Sequence, residues 1–82
     1  MKQACALRYD ERAGDPAPRV IANACGELAD RVEQAARAYG VPVVRDRPLA
    51  QALSVLREGE EIPESLYHAV AEILRELSSE VP

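Results

Sequence analysis

Apolar positions alternate at the start of the chain. Cys5, Leu7 and Tyr9 fall on one side of residues 4–9, and Ala4, Ala6 and Arg8 on the other, which is the period of a half-buried strand. Residues 10–18 turn to Asp, Gly and Pro and read as a loop. Arg19-Val20-Ile21-Ala22 is a short β-branched run that predicts a second strand. The period then lengthens. Over residues 26–39, Leu28, Val32, Ala35, Ala36 and Tyr39 recur at spacings of three and four, opposite Glu27, Asp30, Arg31, Glu33, Gln34 and Arg37. That spacing predicts an amphipathic helix with the first set facing inward. Asn23 is a candidate N-cap, Glu27 and Arg31 form an i,i+4 pair in the favoured order, and Gly40 suits the position that closes a helix.

Val41-Pro42-Val43-Val44 predicts a third strand, with Pro42 at its start or on an edge because it has no N–H to give a ladder. Strand, helix and strand with short joints predict a right-handed βαβ crossover. Asp46 is placed to cap a short helix that buries Leu49, Ala52, Leu53 and Leu56. Gly59 breaks the chain, and Pro63 suits the first turn of a last helix, where Glu64 sets negative charge near the positive end. Leu66, Val70, Ile73, Leu74 and Leu77 form the apolar stripe of that helix, and the tail over residues 77–82 is expected to fray. The expected class is α/β bordering on α+β: a small three-stranded mixed sheet in the order ββαβαα, covered by helices, in one domain over residues 1–82.

Composition narrows the core. A chain of 82 residues buries only about 60–65% of its unfolded surface. With no Phe or Trp and three Tyr, the core must be built from Leu, Val, Ile and Ala. The net charge of −4 comes from interspersed signs, with no basic stripe to follow a phosphate backbone and no polybasic block for an anionic membrane. The expectation is therefore no nucleic-acid partner and no direct membrane insertion. No apolar run reaches the roughly 20 residues that span a bilayer, and the opening residues 1–8 are too short and polar for a signal peptide. The chain reads as cytoplasmic, with Cys5 and Cys25 reduced.

Candidate chemistry is sparse. His68 has no second histidine or thiol cluster beside it in sequence and reads as a surface or boundary residue. Cys5 and Cys25 would make a thiol pair only if strand and helix start met; otherwise they are small space-filling residues. Asp10-Glu11 and Glu60-Glu61 are paired acids on loops, which are ordinarily solvated. Gly14 and Gly26 belong to no phosphate-binding pattern. The expectation is no enzyme, no metal and no cofactor.

Six runs carry a resemblance. They are Ala6-Leu7-Arg8-Tyr9-Asp10; Ala17-Pro18-Arg19-Val20-Ile21-Ala22; Gly26-Glu27-Leu28-Ala29 with Arg31-Val32; Val41-Pro42-Val43-Val44; Pro48-Leu49-Ala50 with Ala52-Leu53; and residues 59–74. In that order and register they resemble the cytoplasmic domain of the FlhB/YscU/HrcU family, the export-switch proteins of flagellar and virulence type III secretion. The resemblance implies a membrane-anchored family whose cytoplasmic domain cuts itself at an Asn-Pro-Thr-His loop, with a change of export specificity. This sequence has no Asn-Pro dipeptide: its sole asparagine, Asn23, precedes Ala24. Met1 and Lys2 stand near the threonine and histidine of the motif, and Asn23 and Ala24 replace a lysine and glycine. The likeness is to freestanding FlhB-like proteins that match the post-cleavage fragment.

The resemblance further implies that an apolar patch at Ala17, Pro18, Ala71 and Leu74 receives export substrates; the alternative is that Ala71 and Leu74 only fill the core. It implies that the strand at residues 4–9 lacks a neighbour and takes a strand donor from another chain. Export-gate components and secreted flagellar or type III substrates are the expected partners, at or near the cytoplasmic face of the export gate. The alternative function is a cytosolic adaptor or regulator that keeps the fold outside secretion, and a thiol-dependent enzyme is the remaining one.

Overall fold

Strands β1 (Gln3–Arg8) and β2 (Arg19–Cys25) pair antiparallel in a computed structural model that describes residues 1–79. Ala4 lies opposite Ala24, Cys5 opposite Asn23 and Ala6 opposite Ala22. The register then slips to set Leu7 against Val20, which leaves Ile21 as the extra residue of a bulge. Helices α1 (Glu27–Ala38), α2 (Arg47–Leu53) and α3 (Tyr67–Ser79) follow, with 3-10 turns at Glu11–Ala13 and Glu64–Leu66. The class is α+β. Among the described residues the sheet has two strands, so the expected third strand is corrected. Residues 41–46 carry no regular structure and join no ladder, and the βαβ crossover does not form. Valines favour extended backbone, but a strand also needs a neighbour within hydrogen-bonding reach, and Pro42 removes one donor.

Alternation divides the hairpin into two faces. Cys5 and Leu7 pack on the core of Leu53, Ile62 and Val70, ringed by Leu49, Leu56, Leu66 and Leu74, so α2 and α3 cover this face. Ala4, Ala6, Ala22 and Ala24 turn to the other face, toward α1. Alanines let the helix lie close, and Ala29 is fully buried there. This rotates α1 from the expected orientation. Leu28 and Tyr39, expected inward, are 60% and 86% exposed, while Ala29, Val32 and Ala36 are the inward positions. A Leu or Tyr at the contact would hold the helix away from an alanine surface.

The two outer edges of the hairpin are treated differently. Residues 59–62 close the edge of β2. Gly59 N–H donates to Val20 C=O (2.7 Å), Val20 N–H to Glu60 C=O (2.8 Å) and Ile62 N–H to Pro18 C=O (2.9 Å). Arg19 and Glu61 complete an antiparallel bridge. Gly59 makes the turn at φ 89°, which a side chain would strain. Across the seam between the two strands, Gly26 N–H donates to Lys2 C=O (2.7 Å). That bond fixes the parity: Ala4 and Ala6 aim their backbone groups at β2, and Gln3, Cys5 and Leu7 aim theirs outward. Among the described residues the outward groups have no backbone partner.

Two polar side chains fasten the helices. Asn23 Nδ2 donates to the carbonyls of Leu53 and Leu56, both at 2.9 Å, at the end of α2. It is therefore not the cap of α1, where Gly26 stands at φ 65° with no side-chain cap. Left bare, a buried carbonyl of this kind costs about 1–3 kcal/mol. Glu33 accepts hydrogen bonds from Lys2, from Arg37 (3.0 Å) and from Arg45 (2.8 Å), and Lys2 also reaches Asp30 (2.7 Å). One carboxylate thus joins the head of β1, α1 and the connector 41–46; the i,i+4 ion pair of α1 is Glu33–Arg37 and not Glu27–Arg31. Asp46 caps α2 through Leu49 N–H (3.1 Å), and Gly40 closes α1 at φ 74°, both as expected. Helix α3 continues to Ser79, past the expected start of the frayed tail, and residues 80–82 of that tail lie outside the described residues.

Hydrogen bonds from Lys2 and Arg37, then the charge of Arg45, hold the Glu33 carboxyl down at about 2 from an ordinary 4.5. A depressed folded pKa contributes stability that is fully present above the unfolded value and lost as pH falls through the folded one. Urea denaturation at a series of pH values should show Glu33→Gln destabilised at neutral pH, with the gap to the parent closing between pH 4.5 and 2. A gap that stays constant with pH would contradict the assignment.

Candidate functional site

The loop between the strands is fastened by its own side chains. Asp10 Oδ1 accepts from the N–H groups of Arg12 (3.0 Å) and Ala13 (3.3 Å), capping the 3-10 turn. Asp15 Oδ2 accepts from Asp10 N–H (3.0 Å) and lies 3.5 Å from Arg8 Nε. Pro16, Ala17 and Pro18 then lead into β2, where the Pro18 carbonyl is held by Ile62. Opposite this wall runs one stripe of α3: Tyr67, Ala71, Leu74 and Arg75 are spaced as i, i+4, i+7 and i+8.

Between them lies an open groove of about 740 Å³. All four residues of the expected patch line it. Ala17 is 2% exposed at its base, Pro18 and Leu74 are half-buried, and Ala71 is exposed. Leu74 also packs on the core, so filling the core and lining the groove are two sides of one residue. The rings of Tyr9 and Tyr67 extend the apolar lining, and Asp10, Glu11, Arg12 and Arg75 supply its charges. Tyr67 and Arg75 escaped the sequence reading, although their spacing from Ala71 places them on the same helix face. Tyr9, read there as an inward strand residue, lies beyond the end of β1 and is 38% exposed.

The groove offers apolar contact and hydrogen-bond donors. The thiols are elsewhere. Cys5 is half-buried against the core, and burial pushes it up to about 11, the wrong direction for a nucleophile. Cys25 is exposed and pairs in register with Gln3, while Cys5 pairs with Asn23, so the two cysteines do not face each other. His68 is 90% exposed and sits 3.1 Å from Glu72 on the surface of α3. Among the described residues no three His, Cys, Asp or Glu side chains are grouped to hold a metal, and no helix is long and apolar enough to cross a membrane.

Comparison with known proteins gives a consistent picture. The model of the FlhB HrpN YscU SpaS Family matches residues 1–77. The chain is similar to the protein YlqH of Bacillus subtilis (strain 168), at 45% identity over 89% of this chain and 77% of the relative. It is similar to the flagellar biosynthetic protein FlhB of Aquifex aeolicus (strain VF5), at 42% identity over 87% of this chain but only 20% of that protein. Among solved structures, the PscU C-terminal domain superposes with a TM-score of 0.85 at 38% identity, covering 92% of this chain and 95% of that one. The cytoplasmic domain of FlhB from Shewanella putrefaciens gives 0.83 at 35% identity, covering 90% and 60%. The chain thus spans about a fifth of the FlhB relative and nearly the whole of a C-terminal domain.

Proposed function

This chain belongs to the FlhB HrpN YscU SpaS family, and on that premise we propose that it is a non-catalytic interaction module of a flagellar or type III protein export apparatus. It acts in the cytoplasm, at the periphery of the inner-membrane export gate, and it binds export-gate components and secreted substrates. The observation that carries this reading is the convergence of Ala17, Pro18, Ala71 and Leu74, drawn from two distant parts of the chain, on one open groove. A raised thiol at Cys5 and a solvent-facing His68 support the absence of catalysis. These 82 residues contain no Asn-Pro bond, which supports a role that does not rest on the family's asparagine self-cleavage.

An adaptor outside secretion would be suited by the changes at Asn23 and Ala24. Their replacement of the family's lysine and glycine has a structural account. Asn23 holds the end of α2 and Ala24 belongs to the alanine face beneath α1. Neither residue favours a change of function.

The open edge of β1 supports a second contact in the same apparatus. Gln3, Cys5 and Leu7 point N–H and C=O groups outward in register, the arrangement by which an extended segment of a partner adds to a sheet. The strand that precedes the cleavage motif in full-length members is the fitting donor.

Ala71 is exposed, so Ala71→Glu should fold normally, with stability within about 0.5 kcal/mol of the parent. Its capture of purified export substrates should fall about tenfold; a folded variant with full capture would rule out the groove as the docking site. For the edge, titration with a peptide copying the donor strand should shift the amide resonances of Gln3, Cys5 and Leu7 more than those of Ala4 and Ala6. Saturable binding with shifts confined to other parts of the molecule would exclude strand addition.

A further inference from the structure

The charges lining the groove are matched in number, two acids and two arginines, yet they are not equivalent. Both carboxylates are already engaged. Asp10 caps the 3-10 turn through two backbone N–H groups, and Glu11 Oε1 accepts from Tyr9 Oη at 3.0 Å. Both guanidiniums are exposed, and neither makes a side-chain hydrogen bond or ion pair among the described residues. Arg8, Arg19, Arg37 and Arg45 each meet an acceptor, while Arg31, Arg47 and Arg57 share the uncommitted state of the groove pair but lie outside the groove. The groove therefore presents an apolar base with two uncommitted guanidiniums at its rim, one on the interstrand loop and one on α3.

Guanidinium groups seek planar carboxylates, which accept two parallel hydrogen bonds. From this we infer that the groove takes a protein segment in which an apolar anchor is flanked by Asp or Glu side chains. The anchor sits over Ala17, Ala71 and Leu74, and the flanking carboxylates meet Arg12 and Arg75. This inference rests on the docking reading above and adds the chemistry of the segment. The chain as a whole carries −4, so attraction for an acidic segment is local to the rim and acts on residence more than on long-range approach.

Three short synthetic peptides test it, sharing one leucine-based anchor and flanked by glutamates, glutamines or lysines. Each is titrated into the full chain while the resonances of Tyr67, Ala71 and Leu74 are followed. The glutamate peptide should bind about fivefold tighter than the glutamine peptide, the sum of two exposed ion pairs, and the lysine peptide should bind most weakly. Arg12→Gln and Arg75→Gln should each remove part of this preference and the double variant all of it. Equal binding of the three peptides, or a preference that survives in the double variant, overturns the acidic-segment inference and leaves the docking reading standing. No shift at the groove with any peptide overturns both.

Discussion

Everything in this fold hangs on how one two-stranded hairpin satisfies its backbone. A hairpin alone is marginal in water, and its two outer edges each present unpaired N–H and C=O groups. Here one edge is closed by the chain itself. Residues 59–62 lie along β2 with three short backbone hydrogen bonds, and that single contact does several things at once. It brings Ile62 into the core at 2% exposure, sets the origin of α3, and holds the Pro18 carbonyl so that the loop wall faces the helix. The groove exists because α3 starts where this clasp puts it. The other edge, along β1, stays open.

The second constraint is scarcity of apolar bulk. Among the described residues only six hydrophobic side chains are buried, two of them alanines, so close approach has to replace volume. One face of the hairpin is alanine against α1 and the other is Cys5 and Leu7 against a leucine-rich cluster. The polar ties of Asn23 and Glu33 gain importance in this setting. A core this small leaves the end of α2 and the connector 41–46 with little packing of their own. The connector is held near the head of β1 by Arg45, through the same carboxylate that holds Lys2.

What could be read from the residues follows from which interactions are local. The alternation at residues 4–9, the capping by Asp46, the closing glycines at 40 and 59 and the stripe of α3 are all decided within a few positions. The structure bears them out, except that Pro63 opens a 3-10 turn over Glu64–Leu66 and α3 itself begins only at Tyr67. The third strand was not decidable this way. Val41, Val43 and Val44 have the composition of a strand, and whether a backbone lies beside them is a matter of tertiary placement. The orientation of α1 failed for a related reason: its most apolar stripe includes Leu28 and Tyr39, but the partner surface accepts only small residues. Asn23 reads locally as a helix cap, while its partners, Leu53 and Leu56, are 30 and 33 residues away. The four groove residues came from family resemblance. Composition alone would not have joined Ala17 and Pro18 to Ala71 and Leu74, because the clasp that unites them is made of backbone groups.

Family membership and geometry support the proposal of a part that works by contact, through an apolar groove at one end of the hairpin and an unpaired strand along its side. Both depend on the asymmetry of the two edges. Residue-resolved amide hydrogen exchange on the free chain measures that asymmetry directly. Slow exchange is expected at Val20 and Ile62, whose N–H groups are bonded across the closed edge, with an alternation along β1 in which Ala4 and Ala6 are protected and Cys5 and Leu7 exchange fast. Uniform protection along β1 in the free chain, or rapid exchange at Val20 and Ile62, would contradict the account.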